Sequence, residues 1–334
     1  MHSARIIVRE GFNARFRDKL HAMPSDDLIT SEDKKSGFTL IELSIVLVLI
    51  GLLVGGVLVG RDLIRASETS ATIAQIQKYN SAVRNFEEKY GQLPGDMNSA
   101  TATQFGFSAR GSYCGEGDGN GRIDGVWANA AASCSGTSPN GEEGLFWVDL
   151  TTANGLNVNM IDGSFSTAVA ASFSSNISGT KLNAYMPQAK LGRGNYIYVF
   201  GLSSSSSAAY PAGNFFGILG ITGMNLAAVG FGCYTSTPSI PVRQAYDIDK
   251  KIDDGLPQSG NVLALYMGSV AGVGSNVSWS NSAYNNGGIA YTTATPGSSI
   301  TCFDNGNSAG AIQQYSLGQS NGSNPVCALS LLFQ

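Results

Sequence analysis

Apolar residues crowd into one stretch of this chain and thin out elsewhere. From Phe38 to Gly60 the sequence reads FTLIELSIVLVLIGLLVGGVLVG, 23 residues with a single ionisable side chain, Glu42. Such a run predicts a helix that is apolar on every face and long enough to cross the hydrocarbon of a bilayer. Sixteen of its residues are Leu, Ile, Val or Phe, each contributing about −0.3 to −0.6 kcal/mol to insertion. A carboxylate costs roughly 2.5–3.5 kcal/mol at the bilayer centre and less near an end, where Glu42 sits. Insertion wins.

Beyond Gly60 the pattern becomes a stripe. Ile73, Ile76, Val83, Phe86 and Tyr90 recur at helical spacing, so the same helix continues in amphipathic form and needs a partner along one face. Gly91 offers a left-handed stop and Pro94 prevents resumption. A helix over Phe38–Tyr90 would be about 80 Å long. A cleaved secretory signal fits poorly, because the apolar run is too long and no small-x-small site follows it.

The remainder has short elements separated by Gly, Ser, Asn and Pro. Asn140-Gly-Glu-Glu opens a short helix that ends before Gly155, and Val242–Asp254 predicts another with Ala245, Ile248 and Ile252 on its apolar face. Strands are expected at Tyr196–Phe200, Phe215–Ile221, Asn261–Met267, Gly288–Thr292 and Val326–Phe333, with Ser203–Ser207 as a loop. The fold class is therefore α+β: a long N-terminal helix packed on a C-terminal antiparallel β-sheet head. The divisions expected are a leader at 1–37, an apolar helix at 38–60, its amphipathic continuation at 61–92 and a β-rich head at 93–334.

Composition narrows the setting. Only 13% of the 334 residues are charged, about half the usual share, which suits an exposed, loop-rich domain. Residues 38–334 carry 13 basic against 18 acidic side chains, and no Lys/Arg cluster of the kind that neutralises phosphates, so direct nucleic-acid binding is not expected. The only histidines, His2 and His21, lie before residue 38. A chain cut after residue 37 would have no histidine for a triad, for general acid–base work or for metal ligation. No phosphate-cradling Gly loop follows a strand–turn–helix pattern. An enzyme is not expected.

Glu42 is the one chemically pointed residue in the apolar run. An ionisable group in a membrane survives by finding a partner, and the nearest base C-terminal to it, Arg61, is about five turns away. This asks for a partner on another chain or a protonated acid.

The stretch KKSG-FTLIELSIVLVLIG resembles the class III signal of type IV prepilins and type II secretion pseudopilins. The resemblance implies cleavage after Gly37 by a prepilin peptidase on the cytoplasmic side, N-methylation of the new N-terminal residue Phe38, and pairing of Glu42 with the N-terminal amine of a neighbouring subunit. It implies a homo-oligomeric filament with other pilin-like subunits, built by inner-membrane assembly machinery. The precursor would be a single-pass inner-membrane protein, later found in a periplasmic or cell-surface filament. A minor tip subunit acting as a binding module or adhesin is the alternative on the same anchor. Lys34 and Lys35 flank the segment on the expected side, and either Met1 or Met23 could open the leader. The Pro frequent in the family's apolar helix is missing. In the head, KYNSAVRNFEEKYGQLPGDM, AYDIDKKIDDGLPQSG and CFDN…PVCALSLLF are similar to segments of a less familiar branch of pilin-like proteins.

Five cysteines, Cys114, Cys134, Cys233, Cys302 and Cys327, form no CxxC pair, and an exported body favours disulfides over metal. The resemblance favours Cys302–Cys327, which would also tie down the last strand. Cys114–Cys134 is the next candidate, while Cys233–Cys302 is a rival pairing. In CGEGDGNGRIDG, Asp118, Asn120 and Asp124 have the spacing of a calcium loop's first ligands, although Arg122 and the lack of a bidentate Glu depart from that pattern. Asp253 and Asp254 are a weaker metal candidate at a helix end.

Overall fold

The computed structural model describes residues 37–110, 116–123, 141–153, 156–157, 160–166, 176–202, 211–225, 234–270, 273–280 and 297–333. The expected long helix is α1, Leu40–Tyr90, and Gly91 closes it in the left-handed region at φ 74°. The chain divides into two units, Met1–Gly56 and Val57–Gln334. In the first, residues 37–56 are exposed throughout. An 18-residue window of α1 has mean hydropathy 2.8 with none of it buried by the chain itself, long and apolar enough to cross a membrane.

The second unit holds the core. The expected stripe of α1 is its inward face: Ile76, Val83 and Phe86 are buried, and Ile73 and Tyr90 pack partly against them. Tyr79 meets Trp147 edge-on with ring centroids 5.1 Å apart, and Phe86 meets Phe107 at 5.4 Å. Aromatic pairs of this geometry add to the free energy of burial. Polar groups fix the register of the packing. The Gln75 amide donates to the Gln188 carbonyl at 2.9 Å and accepts from the Lys190 N–H at 2.9 Å, so one side chain pairs with a passing backbone like a strand. Nearer the helix start, Gln244 Nε2 donates to Glu68 Oε2 at 3.0 Å, and Gln244 Oε1 accepts from Arg193 Nη1 at 2.8 Å.

Helix α2, Ser99–Phe105, is capped by Asn98, whose Oδ1 accepts the Thr101 N–H at 2.9 Å. Helix α3, Glu142–Thr151, places Glu142 and Glu143 in its first turn as expected. Strands β1, Thr152–Ala153, and β2, Leu156–Asn157, form a small hairpin after it. The main sheet contains β3 (Asn176–Ser178), β4 (Asn195–Leu202), β5 (Gly213–Asn225) and β6 (Tyr234–Thr237). The long strand β5 pairs antiparallel with the other three. Tyr198 of β4 lies across Gly217 of β5, where an added Cβ would come within 2.2 Å of the ring. The glycine makes room for a buried aromatic whose Oη accepts the Met267 N–H at 2.9 Å.

Strand β7 (Ile240–Pro241) leads into α4, Val242–Ile252. Ala245 and Ile248 of that helix are buried as expected, but Ile252 is exposed, because the helix ends there rather than at Asp254. The expected single strand over Asn261–Met267 is two strands, β8 (Val262–Leu263) and β9 (Leu265–Val270). Ala264 leaves the ladder between them to donate to the Pro257 carbonyl. Strand β10 (Val273–Trp279) pairs with β9, and β11 (Phe303–Asp304) with β12 (Gln314–Tyr315). The expected Val326–Phe333 strand likewise breaks at Ala328 into β13 (Pro325–Cys327), paired with β7, and β14 (Leu329–Leu332), which lies between β5 and β8. Among the described residues every strand pair is antiparallel, and the α+β layout is the one expected. The strand expected at Gly288–Thr292 and the loop at Ser203–Ser207 lie outside the described residues.

Candidate processing and assembly site

The first turn of α1 carries the polar chemistry of the apolar segment. Gly37, Phe38 and Thr39 are non-helical, and Phe38 is 90% exposed. Thr39 is the residue before the helix, and its carbonyl accepts the first helical bond, from the Leu43 N–H at 3.2 Å. Glu42 reaches back to it. Glu42 Oε2 accepts both the Thr39 N–H and the Thr39 hydroxyl, each at 2.8 Å, while Thr39 Oγ1 accepts the Glu42 N–H at 3.3 Å. This reciprocal arrangement is a capping box, in which a Thr and a Glu three residues on satisfy each other's backbone donors. Thr-x-x-Glu was there to be read at residues 39–42. The partner expected on another chain is thus preceded by a hydrogen-bonding partner three residues away on the same chain. Ser44 is satisfied locally too, its hydroxyl donating to the Ile41 carbonyl at 2.8 Å.

Among the described residues, the glycines here have no packing partner: a Cβ built at Gly37, Gly51, Gly55, Gly56 or Gly60 meets nothing within 4 Å. Each of the four inside the helix costs about 1 kcal/mol relative to alanine, and no packing against the described residues offsets that cost.

The expected calcium loop is built around a residue the spacing argument did not include, Asp96. Its Oδ1 accepts the N–H groups of Gly119 and Asn120 at 2.8 and 3.1 Å, and its Oδ2 that of Gly121 at 2.7 Å. Asp118 caps the turn by accepting the Asn120 N–H at 3.0 Å, and Asn120 Oδ1 accepts the Arg122 N–H at 2.8 Å. Carboxylate oxygens of Asp96, Asp118 and Glu142 lie within 4.8 Å of one another, a set that could hold a hard cation. Asp124 lies outside the described residues. Burial pushes the Asp96 pKa up to about 6 despite its N–H donors. Next to this loop, Arg110 and Asp149 form an ion pair with both side chains fully buried, and Asp149 Oδ2 also accepts the Gly95 N–H at 2.7 Å. Asp249, Asp253 and Asp254 form a second acidic group. All three are engaged: Asp249 with Tyr315 Oη and the Gly255 N–H, Asp253 with the N–H groups of Asn261 and Val262, and Asp254 with the Leu256 N–H and the Ser259 hydroxyl.

Cys302 and Cys327 are joined in a disulfide across 25 residues, tying the β11 start to β13. Cys114, Cys134 and Cys233 lie outside the described residues.

Residues 33–58 match the family model described as the prokaryotic N-terminal methylation motif. No curated protein and no solved structure matches the chain. The matched segment covers the basic pair, Gly37, Phe38, the Thr39–Glu42 box and most of the apolar run. It is a class III prepilin signal of the type IV pilin-like kind.

Proposed function

We propose that this chain is a structural subunit of a type IV pilus-like or pseudopilus filament. A prepilin peptidase cuts after Gly37, the same enzyme methylates the Phe38 amine, and inner-membrane machinery then packs the apolar part of α1 among its counterparts in other subunits. Glu42 meets the freed amine of a neighbour. The observation that carries this reading is a methylation motif opening a helix whose first seventeen residues, Leu40–Gly56, are all exposed in the isolated chain. Two features support it. Gly37 is a glycine that meets no packing need among the described residues, as expected if a peptidase imposes it. The helix glycines have no internal use either, and they would let neighbouring helices approach closely.

The test is the N-terminal sequence and mass of the protein isolated from cells, which should begin at methylated Phe38. A protein that retains residues 1–37 overturns the reading. Gly37→Leu should leave the full-length precursor in the membrane. Glu42→Ala should insert normally and fail to assemble, and an unchanged filament yield would count against the pairing. Stoichiometry distinguishes the alternative, since a tip-located binding module would make up only a trace of filament mass.

A further inference from the structure

We propose that Thr39 is a positioning residue that holds the Glu42 carboxylate within its own subunit, so that the unassembled chain stays single in the membrane until a neighbour takes the carboxylate over. The inference rests on the assembly role proposed for Glu42. Polar side chains on membrane helices draw helices together, because hydrocarbon offers them no partner. A lone Glu on an apolar helix should therefore pull subunits together wherever they meet, ahead of any ordered assembly. The capping box weakens that pull. One oxygen of Glu42 takes two donors from Thr39 at 2.8 Å each, and the return bond from the Glu42 N–H to Thr39 Oγ1 satisfies another donor at the helix start. Among the described residues the other oxygen, Oε1, receives no hydrogen bond, so a neighbour's amine could approach it before the Thr39 contacts break. The threonine hydroxyl makes two of the three bonds, donating to the carboxylate and accepting from the backbone, while the Thr39 N–H supplies the third.

The experiment uses the full-length chain, labelled with donor and acceptor fluorophores and reconstituted in phosphatidylcholine vesicles without peptidase or assembly proteins. Energy transfer then reports self-association. Thr39→Val keeps the shape and removes the hydroxyl. It should strengthen association about tenfold, equivalent to about 1.4 kcal/mol, which is within the range for one polar contact between membrane helices. Thr39→Ser should match the unaltered chain, and adding Glu42→Ala to Thr39→Val should abolish the gain. Unchanged or weaker association in Thr39→Val overturns the proposal. So does a gain that survives Glu42→Ala, which would assign the effect to valine packing. Failure of the assembly role proposed for Glu42 would appear separately, as normal filament yield from Glu42→Ala in cells, and failure of the filament reading as a protein that retains residues 1–37.

Discussion

The two halves of α1 obey opposite rules on one continuous helix. Between Leu40 and Gly56 nearly all side chains are apolar, on every face, and the chain covers none of them, whereas between Thr69 and Phe86 a single stripe is apolar and the chain buries most of it. The second half answers to its own head through Tyr79, Phe86, Gln75 and Gln244. The first is written for surroundings supplied from outside, by lipid or by other copies. A helix can thus be fixed in sequence by two unrelated solvents, and the changeover shows in the spacing of its apolar residues.

Truncation in each half separates these rules most sharply. Phe86→Ala should lower the stability of the head by about 3–5 kcal/mol, as expected for emptying a fully buried aromatic site. Leu53→Ala, at a position 68% exposed, should change it by less than about 0.5 kcal/mol. Both are read from urea unfolding of the detergent-solubilised chain, and equal effects would erase the distinction. Reducing Cys302–Cys327 should cost the head about 3.5 kcal/mol by loop entropy and leave insertion of the apolar half untouched. Replacing Gln75 by Ala removes two side chain–backbone hydrogen bonds and should cost about 1–2 kcal/mol.

The head also has a pH response of its own. Burial holds Asp249 at about 7 and Asp96 at about 6, both raised from 3.8. The folded head therefore binds these protons more tightly than the unfolded chain. Their stabilising contribution is full below about pH 4 and is lost as the pH rises through 6 and 7. The Tm should fall across that window, and Asp249→Asn should flatten its upper part. Calcium held by Asp96, Asp118 and Glu142 would raise the Tm near neutral pH by neutralising the clustered carboxylates. A Tm indifferent to both calcium and chelator ends that expectation.

The long helix, the α4 face at Ala245 and Ile248, and the strands centred on Tyr198 and Ile218 were legible because local pattern and burial agree there. The breaks at Ala264 and Ala328 were not, since both interrupt unbroken apolar runs for reasons that arise far away in sequence. The hydroxyl of Ser280 accepts the Ala328 N–H and donates to the Ala328 carbonyl, a local clamp no periodicity announces. Helix α2 was overlooked despite a readable cap at Asn98 and a left-handed Gly106, because its seven residues are too short to show a stripe. The Thr39–Glu42 box was readable in the letters and missed for another reason, the attention given to charge.

Strand β14 has a consequence for the order of events as the head folds. It lies between β5 and β8, yet the residues it joins on β5 were made roughly a hundred positions earlier. Until that late segment is in place, β5 has an open flank along Phe215–Ile218, a greasy edge ready to pair with the wrong chain. Closure of the sheet therefore has to wait for the C-terminal end of the chain.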